Sequence, residues 1–159
     1  MRHAEAEILD TRKNVKDETR ALTDKGRRQA ERMGRLLKRL DVRFDCVLAS
    51  PLTRAIETAD VVLDAMASPV AIQTFDVFRP DGPAEEQRQA IHRADGKSVL
   101  VVGHLPSIGE LATVLLRGQN EPLILFHKST LAALKCAAEG DVLYATLEWI
   151  VSPSMAKRL

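Results

Sequence analysis

The sequence predicts an α/β fold of three layers, in which helices cover both faces of a mainly parallel central sheet. Short apolar segments alternate with segments of helical period after about residue 20, and this alternation is typical of strands linked by helices. The segment 98–102 (SVLVV) is apolar throughout after its serine, as expected for a strand covered on both faces. The length of 159 residues and a hydrophobic content of 45% fit one domain over residues 1–159.

Four helices are predicted from apolar spacing and start signals. In the first, Ala30, Met33 and Leu37 belong to one helical stripe, and Thr23 is placed to cap the start of the helix. Pro51 suits the first turn of a second helix that reaches about Met66. The other two helices are predicted over residues 84–93 and 108–116, the latter capped by Ser107.

The remaining apolar segments predict strands at residues 47–49, 70–72, 98–102, 131–137 and 142–151. The last two are predicted to form a hairpin that turns near Gly140. Residues 10–20 (DTRKNVKDETR) are nearly all polar, which indicates a surface loop.

Composition excludes several classes of protein. The net charge is +1, without the basic excess typical of nucleic-acid binders. No apolar run reaches the roughly 20 residues that span a membrane, and no secretory signal is visible, so we expect a cytoplasmic protein without membrane contact. Cys46 and Cys136 lie in apolar segments and are predicted to be buried, inert thiols. No cysteine and histidine cluster has metal-ligand spacing, and no G-x-G-x-x-G follows a strand, so neither zinc nor a dinucleotide is expected.

Residues suited to binding phosphate come directly after predicted strands. In an open α/β sheet, ligands bind beyond the carboxyl ends of the strands. The strand at 47–49 is followed by Arg54 one helical turn later, the strand at 98–102 is followed by His104, and the chain starts with Arg2 and His3. Arginine binds phosphate oxygens in bidentate fashion, and a neutral imidazole can attack phosphorus. The sequence therefore predicts a phosphoryl site formed by these four side chains.

Four motifs together resemble the histidine phosphatase superfamily, which has the phosphoglycerate mutase-like fold. They occur in the order of the family, at residues 2–5 (RHAE), 22–26 (LTDKG), 50–59 (SPLTRAIETA) and 103–106 (GHLP). The short chain and the compact stretch from Phe78 to Gly96 are most similar to the SixA-type branch of phosphohistidine phosphatases.

The resemblance implies a role for each residue of the site. His3 would be the nucleophile and pass through a phosphorylated intermediate, and His104 would be the second histidine of the pocket. Arg2 and Arg54 would bind the phosphoryl oxygens, and Glu57 would brace the arginines. No metal or other cofactor is expected. The expected partner is a phosphorylated protein, such as a histidine phosphotransfer domain.

The chain departs from the family pattern in two respects. The family has a central apolar strand of about five residues before its RH motif, and here Arg2 and His3 follow Met1 directly. We therefore expect that this first central strand is missing upstream of Met1. No general acid is evident either; the candidates are carboxylates, Glu5, Asp81, Glu85 and Glu86. A protonated imidazole leaves phosphorus without such an acid, so phosphohistidine is favoured over phosphate esters.

Two other functions remain open. A general phosphatase of small phosphomonoesters would use the same fold and the same pocket. A non-catalytic module that binds phosphate would keep the pocket without turnover.

Overall fold

The computed structural model describes residues 1–9, 16–117 and 123–159. It confirms an α/β fold with helices on both faces of a parallel sheet. The helices are α1 (Asp24–Arg39), α2 (Thr53–Met66), α3 (Ala84–His92), α4 (Ser107–Arg117) and α5 (Pro153–Ala156). The strands are β1 (Cys46–Ala49), β2 (Ile72–Thr74), β3 (Val99–Val102), β4 (Leu131–Glu139) and β5 (Val142–Val151).

The strands form two sheets. β1 lies between β2 and β3, and both of its pairings are parallel. β4 and β5 form a separate antiparallel hairpin, as their spacing predicts. Short 3-10 turns at Asp17–Thr19 and Asp76–Phe78 complete the described elements.

The side chains of β1 alternate between the two helical layers, because successive strand residues point to opposite faces. Val47 and Ala49 belong to the core that contains α1, α2 and α5. Cys46 and Leu48 face Phe78 and part of α3 on the other side. The continuous apolar sequence of β1 therefore reflects burial on both faces.

Most predicted boundaries lie within two residues of the observed ones. Thr23 caps α1 as predicted, since its side chain accepts a hydrogen bond from the Gly26 amide at 3.0 Å. Ser107 instead lies inside α4, where its hydroxyl donates to the carbonyl of Arg79. Cys46 is buried as predicted, whereas Cys136 is exposed because it lies toward the turn of the hairpin, where β4 loses its cover.

A cavity of about 570 Å³ separates β3 from β4. It is lined by the free edge of β3, by β4, and by apolar side chains of α1 and α4. Above it, Met1 and Arg2 form a short extended stub between the two strands, with Arg2 bridged in parallel to Gly103. The Met1 amino group is buried and donates to the Val101 carbonyl at 2.7 Å, and this burial lowers its pKa to about 5.

Candidate active site

The stub places His3 at the carboxyl end of β3. The His3 amide donates to the Gly103 carbonyl at 3.0 Å, and the Gly103 amide donates to the Met1 carbonyl at 3.1 Å. On the opposite side, the Arg2 amide donates to the Thr130 carbonyl at 3.1 Å. These backbone contacts join the N-terminus to residues at least a hundred positions away and bring His3 beside the residue that follows Gly103.

His104 and Arg54 reach the same place from two neighbouring strands. His104 follows β3 almost directly, and its ring centroid lies 4.9 Å from that of His3. Arg54 belongs to the first turn of α2, which follows β1. Thr58 joins this helix to the stub: it accepts from the Ala4 amide at 2.9 Å and donates to the Arg54 carbonyl at 2.6 Å.

The hydrogen bond of His3 determines its tautomer. Nδ1 lies 2.6 Å from the carbonyl oxygen of Ala4. A carbonyl oxygen can only accept, so Nδ1 carries the proton and Nε2 carries the lone pair. Nε2 makes no hydrogen bond to the described residues. The imidazole is thus held in the form that a nucleophile requires.

Burial and neighbouring cations keep both imidazoles neutral. Desolvation, together with the smaller effects of the charges of Arg54, Arg2 and Lys128, lowers the pKa of His3 to about 3, although the hydrogen bond to Ala4 opposes the shift. Desolvation also lowers the pKa of His104 to about 3, with smaller contributions from His3 and Arg54. Both rings are therefore uncharged at neutral pH in the empty site.

Several buried nitrogen atoms of the site have no hydrogen-bond partner in the described part of the chain. They are Nε of Arg2, Nε of Arg54 and both ring nitrogens of His104. A buried donor without an acceptor costs about 1–3 kcal/mol, so such a group of orphaned atoms indicates a missing ligand. Donors from two guanidinium groups and an imidazole match an oxyanion.

Each arginine is held by an oxygen of the protein. Nη1 of Arg2 donates to the Phe126 carbonyl at 2.9 Å. Nη1 of Arg54 donates to the Asp17 carbonyl at 2.8 Å, and its Nη2 donates to Oδ2 of Asp17 at 3.0 Å. Desolvation lowers the pKa of both guanidinium groups, yet arginine remains charged at neutral pH.

The glycine of the LTDKG motif is required by a close contact between α1 and the segment after His3. The Thr23 amide donates to the Glu5 carbonyl at 3.0 Å, which draws the start of α1 against Glu5. A Cβ on Gly26 would lie 1.9 Å from that carbonyl oxygen. This position therefore excludes every other residue type.

The structure brings together the four residues predicted for the site, and it changes the interpretation of others. Glu57 does not brace the arginines of the site; its carboxylate accepts from Arg27 and from the Leu22 amide, both at the start of α1. The sequence predicts a polar surface loop at residues 10–20, whereas Asp17 contacts Arg54 of the site and is itself bound by Arg20. Residues 10–15 of that loop lie outside the described residues.

Sequence reasoning missed Asp17 because a short polar stretch without periodicity carries no sign of what it contacts. The other two histidines are His92 at the end of α3 and His127 in the segment between α4 and β4. Among the described residues, no group of three or more histidine, cysteine, aspartate or glutamate side chains is arranged to hold a metal ion. No described helix is both long and apolar enough to cross a membrane.

Comparisons with known proteins agree with this geometry. A model of the histidine phosphatase superfamily (branch 1) matches residues 1–77. The chain is 31% identical over 160 residues to phosphohistidine phosphatase SixA of Escherichia coli (strain K12), covering 99% of this chain and 94% of that protein. It is 33% identical over 144 residues to a SixA homolog of Haemophilus influenzae, with 84% of each chain covered.

A solved structure of the protein histidine phosphatase SixA complexed with tungstate superposes on this chain with a TM-score of 0.84 at 30% identity. The superposition covers 97% of this chain and 95% of that one. Sequence and structure match over nearly the whole chain, and the four motifs contribute residues to the candidate site or to the contacts around it. The chain belongs to the histidine phosphatase superfamily and is similar to its SixA-type members.

Proposed function

We propose that this protein is a phosphohistidine phosphatase that acts on a phosphorylated protein through a phospho-His3 intermediate. The observation that carries the proposal is the state of His3: its Nδ1 proton is held by Ala4, and its Nε2 lone pair is free beside a group of orphaned donors. The relatives named as phosphohistidine phosphatases support the choice of substrate. A histidine phosphotransfer domain is the partner that we propose.

The first step is attack by Nε2 of His3 on phosphorus. The new N–P bond forms as the N–P bond of the substrate breaks, and the substrate histidine leaves as a neutral imidazole after protonation of its ring. Arg2 and Arg54 bind the phosphoryl oxygens, and a ring N–H of His104 donates to one of them. These donors act in a site shielded from water, where they stabilise developing charge most strongly.

In the second step water attacks phosphorus and the bond to Nε2 breaks, which releases phosphate and restores His3. Nδ1 keeps its proton throughout because the Ala4 carbonyl holds it. Phospho-His3 is therefore a cationic imidazolium, which leaves as a neutral ring. Neither step requires a carboxylic acid to protonate the leaving nitrogen.

The carboxylate nearest to His3 in the sequence is poorly suited to act as a general acid. Glu5 lies 2.8 Å from the Lys25 ammonium, and this hydrogen bond and charge hold the pKa of Glu5 below its ordinary value. Glu85 is paired with Arg88 on α3. An alkyl phosphate ester needs a proton on its leaving alkoxide, whereas phosphohistidine does not. These contacts favour phosphohistidine over phosphate monoesters.

The test is to mix the enzyme with a phosphohistidine protein and to look for acid-labile phosphate on His3 by rapid quenching. His3→Ala should abolish both the labelled enzyme and the turnover, while circular dichroism confirms that the variant is folded. Turnover that persists in His3→Ala would exclude the mechanism. A wild-type enzyme that binds oxyanion without turnover would instead be a phosphate-binding module.

A second arm of the experiment separates the two enzymatic readings. We expect kcat/KM for the phosphohistidine protein to exceed that for p-nitrophenyl phosphate and sugar phosphates. The reverse order would identify a general phosphomonoesterase. That residues 1–159 form one domain, and that the protein is cytoplasmic, stay predictions that limited proteolysis and cell fractionation can test.

A further inference from the structure

A short acidic turn outside the four motifs lies against the phosphoryl site. The 3-10 turn Asp17–Thr19 contacts α2 and supplies both acceptors for the terminal nitrogens of Arg54. The Arg54 side chain is only 4% exposed, so its charge depends on partners inside the protein. Asp17 is the residue that provides them.

Asp17 is itself held by a second arginine. Nε of Arg20 donates to Oδ1 of Asp17 at 2.8 Å, and Nη2 of Arg20 lies 2.6 Å from the same oxygen. Nη1 of Arg20 donates to the Glu7 carbonyl at 2.7 Å. A continuous chain of polar contacts therefore runs from the backbone after His3, through Arg20 and Asp17, to Arg54.

These contacts determine which edge of the Arg54 guanidinium remains for a ligand. Asp17 occupies the edge formed by Nη1 and Nη2. The other edge, formed by Nε and the second hydrogen of Nη2, is left, and its Nε is buried without a partner. Planar guanidinium groups bind oxyanions in bidentate fashion through one such edge.

We propose that Asp17 is a positioning residue, which orients Arg54 so that its Nε edge faces the phosphoryl group, and that Arg20 anchors Asp17. This inference rests on the proposed function only in taking the site to bind a phosphoryl-like oxyanion.

The alternative is that Asp17 occupies the place of the ligand and must leave before an oxyanion binds. Two contacts favour positioning. One of the two acceptors is the backbone carbonyl of Asp17, which cannot withdraw by a side-chain rotation. The carboxylate also bridges Arg20 and Arg54 through different oxygens, so it is fixed from both sides.

The experiment measures tungstate and inorganic phosphate binding by calorimetry, together with kcat and KM on a phosphohistidine protein. The variants are Asp17→Asn, which keeps the shape but loses the charge, Asp17→Ala, and Arg20→Gln. Glu31→Gln is the matched control, since it breaks an exposed carboxylate–arginine pair on α1 far from the site. Arg54→Ala and the double variant with Asp17→Ala complete a double-mutant cycle.

We expect Asp17→Ala to weaken oxyanion binding by roughly tenfold, the size of one charge-assisted hydrogen bond, with smaller losses for Asp17→Asn and Arg20→Gln. In the Arg54→Ala background, Asp17→Ala should have little further effect, because the residue it orients is gone. Glu31→Gln should bind as the wild type does.

Tighter binding in Asp17→Ala would show that Asp17 competes with the ligand and would overturn the inference. Unchanged binding, or full additivity with Arg54→Ala, would overturn it as well. If the wild type binds oxyanion and the variants at Asp17 and Arg20 bind it equally well, only the positioning role of Asp17 is excluded. If the wild type binds no oxyanion, the proposed function fails together with it.

Discussion

The two ends of β3 differ sharply in how completely their surroundings are filled. At the carboxyl end, Gly103 exchanges backbone hydrogen bonds with the stub, and His104 is packed beside His3. Along the rest of the strand, the same edge borders a cavity of about 570 Å³ and its nearest backbone neighbour is the buried amino group of Met1. One strand thus has a closely packed candidate site at its end and an unfilled groove along its edge.

This difference teaches that site geometry and stability have separate sources in this protein. Backbone hydrogen bonds that join residues 1–3 to Gly103 and Thr130 hold His3 at the site. The groove instead costs stability, since it leaves strand edges unpaired and apolar side chains without contacts. Changes at one end of β3 should therefore affect activity, and changes at the other end should affect unfolding.

The largest expected effect is at the carboxyl end. His104→Leu removes a donor to the phosphoryl group, and loss of one such donor typically costs about 10²–10³ in kcat. The same change removes two buried nitrogen atoms that lack partners, so the melting temperature without oxyanion should not fall.

Single-turnover kinetics and calorimetry measure the two effects of His104→Leu. The hypothesis is that changes at the carboxyl end of β3 affect activity and not stability. A variant that retains wild-type kcat, or one that melts far below the wild type, would contradict it. His92→Leu on α3 is a control for the kinetic effect only, because His92 lines the cavity at the other end of β3.

A smaller effect is expected from filling the groove. Parallel pairing of Arg2 with Gly103 means that residues added before Met1 would run alongside Val101, Leu100 and Val99. An added apolar segment would therefore cover the free edge of β3 and the apolar lining of the groove. An extension of four apolar residues should then raise the melting temperature, by about 2–4 °C for each kcal/mol gained in a chain of this size, and change kcat less than twofold.

An extension of the same length made of glycine and serine is the control for the groove. It supplies the backbone but little apolar surface, so it should raise the melting temperature much less. If both extensions raised the melting temperature equally, or if neither raised it, the expectation that apolar side chains fill the groove would be wrong.

The smallest expected effect is a pH dependence that differs between the two ends. Burial lowers the pKa of the Met1 amino group from 8.0 to about 5, and that of His3 and His104 from 6.5 to about 3. In each case the unfolded chain takes up its proton at a higher pH than the folded chain, so stability is lost as the pH falls. The amino group lowers the free energy of unfolding as the pH falls from about 8 to 5, and the two imidazoles lower it below about pH 6.5.

Acetylation of the Met1 nitrogen separates these contributions, because it removes the titrating group at the groove only. The acetylated protein should show a flatter dependence of unfolding free energy between about pH 8 and 5, and the same decline as the unmodified protein below about pH 5. Denaturant titrations at several pH values measure the slopes. Identical slopes for both forms above pH 6.5 would show that the amino group is not buried.

The elements and the four site residues were predictable because their signals are local. The helical stripe of α1, the apolar run of β3 and the hairpin spacing each lie within a dozen residues. Parallel strands end at a common edge of the sheet, so the sequence alone predicts that Arg54 and His104 lie close together. The prediction for Glu57 is wrong, because a motif match does not show which atoms a side chain contacts.

By itself, the sequence determined the order of strands and helices and predicted the four residues of the candidate site, because periodicity and motif spacing are properties of neighbouring residues. Only the tertiary structure decided the tautomer of His3, the hold of Asp17 on Arg54 and the groove beside β3. The last two depend on segments that meet from distant parts of the chain, and such contacts leave no periodic pattern in either segment. The tautomer depends on the side-chain conformation that brings Nδ1 of His3 to the carbonyl of the next residue, which no sequence pattern encodes.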